Sequence, residues 1–485
     1  MTMNQIIKPA SPRRLTALAT LALAMAGCAT VPPDASTVTP HAIAATLPAT
    51  IHLASEGWPD ARWWTGWHDP QLDVLIEQAL ASGPTLEVAA TRIGSAHAAL
   101  ARSRADAGLE TALNANASRQ RYSGNGLFPA PIGGAWYSEE TVRLEARYNF
   151  DWWGRNHALI AASAGEVNAR KASYAQAERT LAASVAQRYF TLQGLWARRA
   201  NLEQLGAVQR ELVGDRDRRI AHGLATATDR AAALADLAQL RKELAQLDGD
   251  VAREREALRA LLGAGPDALT TLRPVALPAT QPALPAQLGI ELLARRPDLQ
   301  AARWQVEAAL SRTEAARAAF YPDVNLSAAL GLDSISLAHL LRAGSRTLLV
   351  QPALSLPLFD SKRLSAQLAG TRSERDELIA QYNQAVVDAV RDVAQDGAAV
   401  QGLAAQLREQ DEAGLARAAI LRATQARVDR GLADRHALLT ARLALLQQQE
   451  GALALRQAQL LAEVALVHAL GGGYRADATP PLTNR

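Results

Sequence analysis

The stretch Thr141-Val142-Arg143-Leu144-Glu145-Ala146-Arg147-Tyr148-Asn149-Phe150 alternates apolar and polar side chains. A period of two is the repeat of a β-strand, whose successive side chains point to opposite faces. Here Val142, Leu144, Ala146, Tyr148 and Phe150 fall on one face, and Arg143, Glu145, Arg147 and Asn149 on the other. A second run answers it: Val324, Leu326, Ala328, Leu330 and Leu332 alternate with Asn325, Ser327, Ala329 and Gly331. Residues 109–122 and 347–358 alternate less cleanly, and Pro352 must occupy a place where no ladder donor is needed. The four runs make two hairpins, about 109–150 and about 323–358, with tips from Ser123 to Trp136 and from Asp333 to Arg346. Alternation alone fits a water-facing sheet with one packed face equally well; strands of roughly ten residues, with the N-terminal address read below, shift the reading to a transmembrane barrel.

Four strands cannot close a barrel, and an open edge in lipid leaves backbone groups unpaired at high cost. Neighbouring copies must therefore complete the wall. Two copies give eight strands, whose interior side chains fill the lumen. Three give twelve, with room for a pore lined by Arg143, Glu145, Arg147 and Asn149. The trimer is the economical solution.

Outside the hairpins the chain reads as long helices. There is no proline between Pro131 and Pro266 or between Pro357 and Pro480, and a proline inside a helix costs about 3 kcal/mol. Leu237, Leu240, Leu244, Leu247, Val251 and Leu258 keep a seven-residue grid. So do Val386, Val390, Val393, Val400, Ala404 and Leu407, with Gly397 in the missing place. A third grid runs through Leu439, Leu443, Leu446, Leu453, Leu460, Val464 and Val467, interrupted at Glu450 and Gln457. Sustained heptads wind helices around one another left-handedly. The pattern predicts helices over 155–221, 224–264, 361–430 and 432–471, and the first alone would be about 100 Å long.

Each proline-free block is punctuated by a glycine able to reverse the chain, Gly223 in His222-Gly223-Leu224 and Gly431 in Arg430-Gly431-Leu432. Gly83-Pro84 and Arg296-Pro297, Phe150-Asp151 and Phe359-Asp360, and Arg104 and Arg317 repeat at nearly the same offset, roughly 210 residues, as expected of an internal duplication. The expected organisation is a first repeat over 67–265, a Pro-rich linker over 266–288, a second repeat over 289–473 and a tail over 474–485. The fold class is mainly α with a small β part: an α-helical coiled-coil barrel continuing a shared twelve-stranded one.

The first residues read as an address. Lys8, Arg13 and Arg14 precede an apolar run from Leu15 to Ala24, too short to span a bilayer. Met25-Ala26-Gly27-Cys28 follows, and Cys28 is the chain's single cysteine. This resembles a bacterial lipobox, which implies a signal peptide over 1–27, diacylglycerol on the Cys28 sulfur and an acylated new N-terminus. Several acyl chains anchor stably where one does not. Ala29 in place of an aspartate points to the outer membrane. A tether over 28–66 carries Pro32, Pro33, Pro40, Pro48 and Pro59. Without the three leader bases, the 51 Lys and Arg fall to 48 and balance the 48 Asp and Glu. A nucleic-acid partner is therefore not expected, since such binders keep a basic excess.

The chain resembles the TolC-like outer membrane factors, specifically the NodT-type lipoprotein branch serving RND efflux pumps. The matching stretches are Trp63-Trp64 with Trp67-His68-Asp69-Pro70-Gln71-Leu72, Arg296-Pro297-Asp298-Leu299, Pro357-Leu358-Phe359-Asp360, Arg430-Gly431-Leu432-Ala433-Asp434, and His468-Ala469-Leu470-Gly471-Gly472-Gly473-Tyr474. The resemblance implies a homotrimeric duct that carries substrate without chemistry, docked to a periplasmic adaptor and an inner-membrane RND transporter. It puts Thr228, Asp229, Asp434 and Arg435 at a periplasmic gate, and Gly223, Leu224, Gly431 and Leu432 at adaptor-contacting turns. Rings of carboxylates at a constriction repel one another, and hydrogen bonds or arginines can latch them. For Asp229 an N-cap role is the competing reading.

Catalytic signatures are missing from the sequence: nine scattered histidines form no His-Glu-x-x-His pair, and no Walker loop or Gly-x-Ser-x-Gly elbow occurs. No cofactor is expected beyond the lipid on Cys28. Trp63, Trp64 and Trp67 are read as packing residues, and Asp151 and Asp360 as helix caps. Two alternatives stay open: a channel for an ATP-driven type I exporter, and a periplasmic coiled-coil lipoprotein that makes no pore.

Overall fold

The computed structural model describes residues 30–40, 58–278 and 295–475. Cys28, the leader, part of the tether and part of the linker lie outside the described residues. Within them the order of elements is α1 (Pro70–Ser82), α2 (Pro84–Asp106), β1 (Glu110–Arg121), β2 (Trp136–Phe150), α3 (Arg155–Ala221), α4 (Ala227–Leu262), α5 (Pro297–Ala318), β3 (Asp323–Ser334), β4 (Arg346–Ser355), α6 (Ser361–Asp429) and α7 (Arg435–Ala469). A helix, a β-hairpin and two long helices thus occur twice in the same order. No helix among the described residues is long and apolar enough to cross a membrane.

The chain forms two compact units, and neither is one repeat. One holds residues 30–40, 94–169 and 302–382, the other residues 58–93, 170–278, 295–301 and 383–475. The halves interleave because their strands share one sheet.

In the first unit the four strands are antiparallel in the order β1-β2-β3-β4. The β2–β3 pair joins the two hairpins, with Leu144 opposite Leu330 and Tyr148 opposite Leu326. Extending that register across the sheet brings Leu113, Leu144, Leu330 and Leu348 into one row. These leucines are 70%, 51%, 59% and 75% exposed, so none of the described residues covers this row of the apolar face. Leaving such side chains in water forfeits the transfer energy that burial provides. Pro352 sits on the edge strand β4, where its missing donor is tolerated. Gly331 lies opposite Arg143, and glycine suits the place because a Cβ there would lie 2.5 Å from the Val142 carbonyl oxygen. Asp151 accepts hydrogen bonds from the amides of Asn156 and His157 at the start of α3, the capping role expected of it. The carboxylate of Asp360 is instead engaged by Arg363.

Beside the sheet-bearing helices, Val31 of the tether packs against Ala316, Phe320, Leu364 and Leu368. Arg372 donates to the carbonyls of Pro32 and Pro33, both at 2.9 Å. Arg375 Nη1 reaches Asp34 at 2.6 Å.

The second unit has a core around Trp63, Trp64, Leu72, Ile76, Tyr189, Phe190, Leu258 and Val464. Trp63 and Trp64 are buried there and Trp67 packs on Phe190, so this cluster is structural. Asp69 caps α1 by accepting from the amides of Gln71 and Leu72, and it accepts the Tyr189 hydroxyl at 2.5 Å. Burial, with that bond to Asp69, pushes the Tyr189 phenol well above its ordinary pKa.

The heptads meet as a coiled coil. Leu195, Leu202, Leu205, Val208 and Leu212 of α3 pack with Leu247 of α4 and Leu439 and Leu446 of α7. Glu450, which breaks the third grid, accepts Arg198 at 2.6 Å and Asn201 at 3.0 Å, forming one satisfied polar layer. Gln457, the other break, lies over Gly194, where a Cβ would come within 2.5 Å of its side chain.

Candidate functional site: the helical turns and the polar sheet face

Two helix reversals lie at one end of the second unit. After α3, the amide of Leu224 bonds to Arg219 O at 2.8 Å and that of Gly223 to Ile220 O at 2.9 Å. After α6, Leu432 bonds to Arg427 O and Gly431 to Val428 O at the same two distances. Both are Schellman turns, which need a left-handed residue, and Gly223 and Gly431 supply it with φ of 68° and 74°. The residue after each glycine is thrown outward, Leu224 67% and Leu432 66% exposed. Among the described residues, this matched pair of solvent-facing leucines is largely left uncovered.

The next helices start later than the sequence pattern predicts, α4 at Ala227 rather than 224 and α7 at Arg435 rather than 432. The reason is capping. Thr226 is the N-cap of α4 in a capping box with Asp229, which occupies the third helical position. Asp229 therefore reinforces the cap without being the N-cap residue. Its carboxyl is held below the usual range, chiefly by the Thr226 backbone amide. Thr228 is exposed beside it.

Asp434 is the N-cap of α7, accepting from the amide of Ala437 at 2.9 Å, and it also accepts Arg219 Nη1 at 2.6 Å. The Ala437 amide foremost, then Arg219, keep its carboxyl below the ordinary value. Arg435 pairs with Glu211 at 2.8 Å, and Arg216 Nη2 lies 3.3 Å from His436 Nε2. Three contacts thus tie the end of α3, from the first half, to the start of α7, from the second. Arg230 holds Asp217 at 2.5 Å between α4 and α3. The sequence pointed to Asp434 and Arg435 but not to their partners Arg219 and Glu211. Partners more than two hundred residues apart leave no local spacing to read.

The second candidate surface is the polar face of β2. Arg143 bonds Asp333 at 3.0 Å and Arg147 bonds Glu145 at 3.3 Å, while Asn149 is exposed. All four expected lining residues share the face opposite the leucine row. Cys28 is outside the described residues; the chain is first seen at Thr30, two residues on. Among the described residues no group of three or more His, Cys, Asp or Glu could hold a metal ion.

A bare apolar band on a short antiparallel sheet, carried by paired helical hairpins, defines the class: a membrane channel subunit with a helical body. The chain belongs to the outer membrane efflux protein family, which matches residues 75–264 and 288–472. It is 40% identical to the multidrug resistance outer membrane protein MdtP of Escherichia coli K12, over 93% of this chain and 94% of that one. It is 36% identical to the putative multidrug resistance outer membrane protein MdtQ of Shigella flexneri, over 94% and 97%. Among solved structures it is similar to the outer membrane protein VceC of Vibrio cholerae, with a TM-score of 0.78, 32% identity and coverage of 86% and 100%. The outer-membrane channel OprN aligns with a TM-score of 0.81, 26% identity and coverage of 92% and 99%. The protein is an efflux channel of the outer membrane and not an enzyme.

Proposed function

We propose that three copies of this chain form the exit duct of a tripartite efflux pump, passing small molecules from periplasm to exterior. The observation that carries this reading is the four-stranded sheet, with two open edges and a row of leucines that none of the described residues covers. Three sheets make a twelve-stranded barrel whose lumen is wide enough for solutes. Arg143, Glu145, Arg147 and Asn149 line it. Cys28 carries the lipid and adds an anchor in the inner leaflet of the outer membrane.

The α3–α7 ties at the turns form the closed state of a periplasmic gate. Asp434 with Arg219, and Arg435 with Glu211, hold the second hairpin against the first, and opening breaks both pairs. The exposed Leu224 and Leu432 turns receive a periplasmic adaptor, which links the duct to an inner-membrane RND transporter. The relatives named for multidrug resistance support drug-sized cargo. The test is purification from outer membranes followed by planar-bilayer recording. An SDS-resistant trimer with stepwise conductance is expected, together with sensitivity to a compound panel on deletion and an RND pump among cross-linked partners. A non-conducting monomer would refute the duct, and recovery of an ATP-driven exporter instead would reassign its pump.

A further inference from the structure

The structure also bears on how one copy meets the next; this rests on the shared-barrel reading and goes on to the residues that touch. Both outer strands of the sheet, β1 and β4, have one edge that pairs with no other strand among the described residues. In lipid those edges must pair with something, and in a closed ring of copies β4 of one chain meets β1 of its neighbour. We propose that this seam is set four residues off the flush register, with Leu348 opposite Ala117 of the neighbouring copy and Thr347 opposite its Ser118.

The offset follows from geometry. A path perpendicular to the strands runs from Leu113 through Leu144 and Leu330 to Leu348. In a flat or untilted ring it would return to Leu113. Barrel strands tilt by about 35–45°, so the path returns displaced along the strand. Twelve strands about 4.8 Å apart have a girth near 58 Å, and this tilt displaces the path by about 40–58 Å, or about 12–18 residues at ~3.3 Å each. Three identical seams share that shift, about four to six residues apiece. The step must be even, because an odd one would turn apolar side chains into the lumen.

Strand lengths fix the direction. A shift towards the start of β1 leaves only Arg346 and Thr347 with partners, because β1 begins at Glu110. A shift of four the other way pairs all ten residues of β4, Arg346 to Ser355, with Arg119 to Glu110. A shift of six also pairs them all, and side-chain chemistry then decides. At six, Leu348 faces Arg119, Ala353 faces Asn114 and Arg346 faces Arg121, while Leu349 faces a polar residue at either offset. At four, Leu348 faces Ala117, Val350 faces Ala115 and Pro352 faces Leu113 on the apolar side. On the polar side Thr347 meets Ser118, Gln351 meets Asn114 and Ser355 meets Glu110. Most pairs thus match in character, the exceptions being Leu349 with Asn116, Leu354 with Thr111 and Arg346 with Arg119. The one repulsive pair, Arg346 with Arg119, lies at the loop end, where Arg119 is already drawn over Trp136 at 5.9 Å.

Cysteine pairs test this directly, with Cys28 left in place. The pairs expected to bridge are Ser118→Cys with Thr347→Cys, and Asn116→Cys with Leu349→Cys. Ser118→Cys with Leu349→Cys, and Asn116→Cys with Gln351→Cys, report the six-residue offset. Within one chain these positions lie three strand spacings apart, about 14 Å, beyond the ~7 Å reach of a disulfide, so every bridge joins two copies. Under oxidation, the first two pairs should shift the denatured band from monomer to covalent trimer, and reductant should reverse it. Bridging by the second set, or by neither set in a protein that still conducts, overturns the register and leaves the duct standing. A monomer that neither bridges nor conducts removes the shared barrel, and the seam with it.

Discussion

At the scale of single residues, the most informative side chains do two jobs each. Asp69 caps α1 and accepts the buried Tyr189 hydroxyl. Losing a cap costs about 1 kcal/mol and orphaning a buried hydroxyl about 1–3 kcal/mol. Asp69→Ala should therefore destabilise the solubilised protein by about 2–4 kcal/mol, read as a fall in denaturant midpoint; Tyr189→Phe should lose less, because it removes the donor and leaves the cap. Asp434 is similarly double, cap of α7 and partner of Arg219. Serine keeps the cap but cannot hold the arginine. If that pair latches the duct, Asp434→Ser and Arg219→Gln should each raise single-channel conductance, with no larger effect in the double variant. A double variant that leaks far more than either single one would mean that the two act separately.

Among the elements, the sheet and the heptad helices were legible in the sequence because periodicity is a backbone property. Val142 to Phe150 and Leu237 to Leu258 announce their own geometry. What interrupts a pattern was not legible. Glu450 reads as a flaw in its heptad until Arg198 and Asn201 are seen around it, and Gln457 until Gly194 makes room. The same limit governs the turns. Gly223 and Gly431 declared the reversals, whereas the Arg219–Asp434 tie depends on packing between hairpins that no local spacing encodes. The bare leucine row carries its own test. A lysine at mid-bilayer on the lipid face costs about 2–4 kcal/mol, whereas a lumen position tolerates polar exchange. Leu330→Lys should reduce folded protein in liposomes, measured by heat-modifiable gel mobility, and Glu145→Gln should not. A Leu330→Lys variant that folds as well as the parent would mean that the face assignment is inverted.

For the whole molecule, the question is how the N-terminal strap and the sheet divide the work of anchoring. The strap is clamped at Asp34 by Arg375 and at Pro32 and Pro33 by Arg372. The bond to Arg375 foremost, with the Ser36 amide and the charges of Arg375 and Arg372, lowers the Asp34 pKa from 3.8 to about 2 against the opposing effect of burial. A depressed carboxylate contributes stability above its unfolded pKa and loses it as pH falls towards the folded one. The clamp should hold unchanged at neutral and mildly acidic pH and release only between pH 3.8 and about 2. Hydrogen exchange over residues 30–40, corrected for intrinsic rates, would show this, and Arg375→Gln should give the released pattern at neutral pH. A strap that loosens already near pH 6 would point to a histidine elsewhere. On the lipidation proposed for Cys28, the clamp at residues 32–34 would limit how far the acylated end reaches, without being the barrel's hold on the membrane. In the proposed shared barrel the exposed leucines supply that hold. Cys28→Ser should accordingly lower retention in washed outer membranes while trimer and transport partly survive. Complete loss of trimer in that variant would mean that the acyl chains are needed to bring the three sheets together.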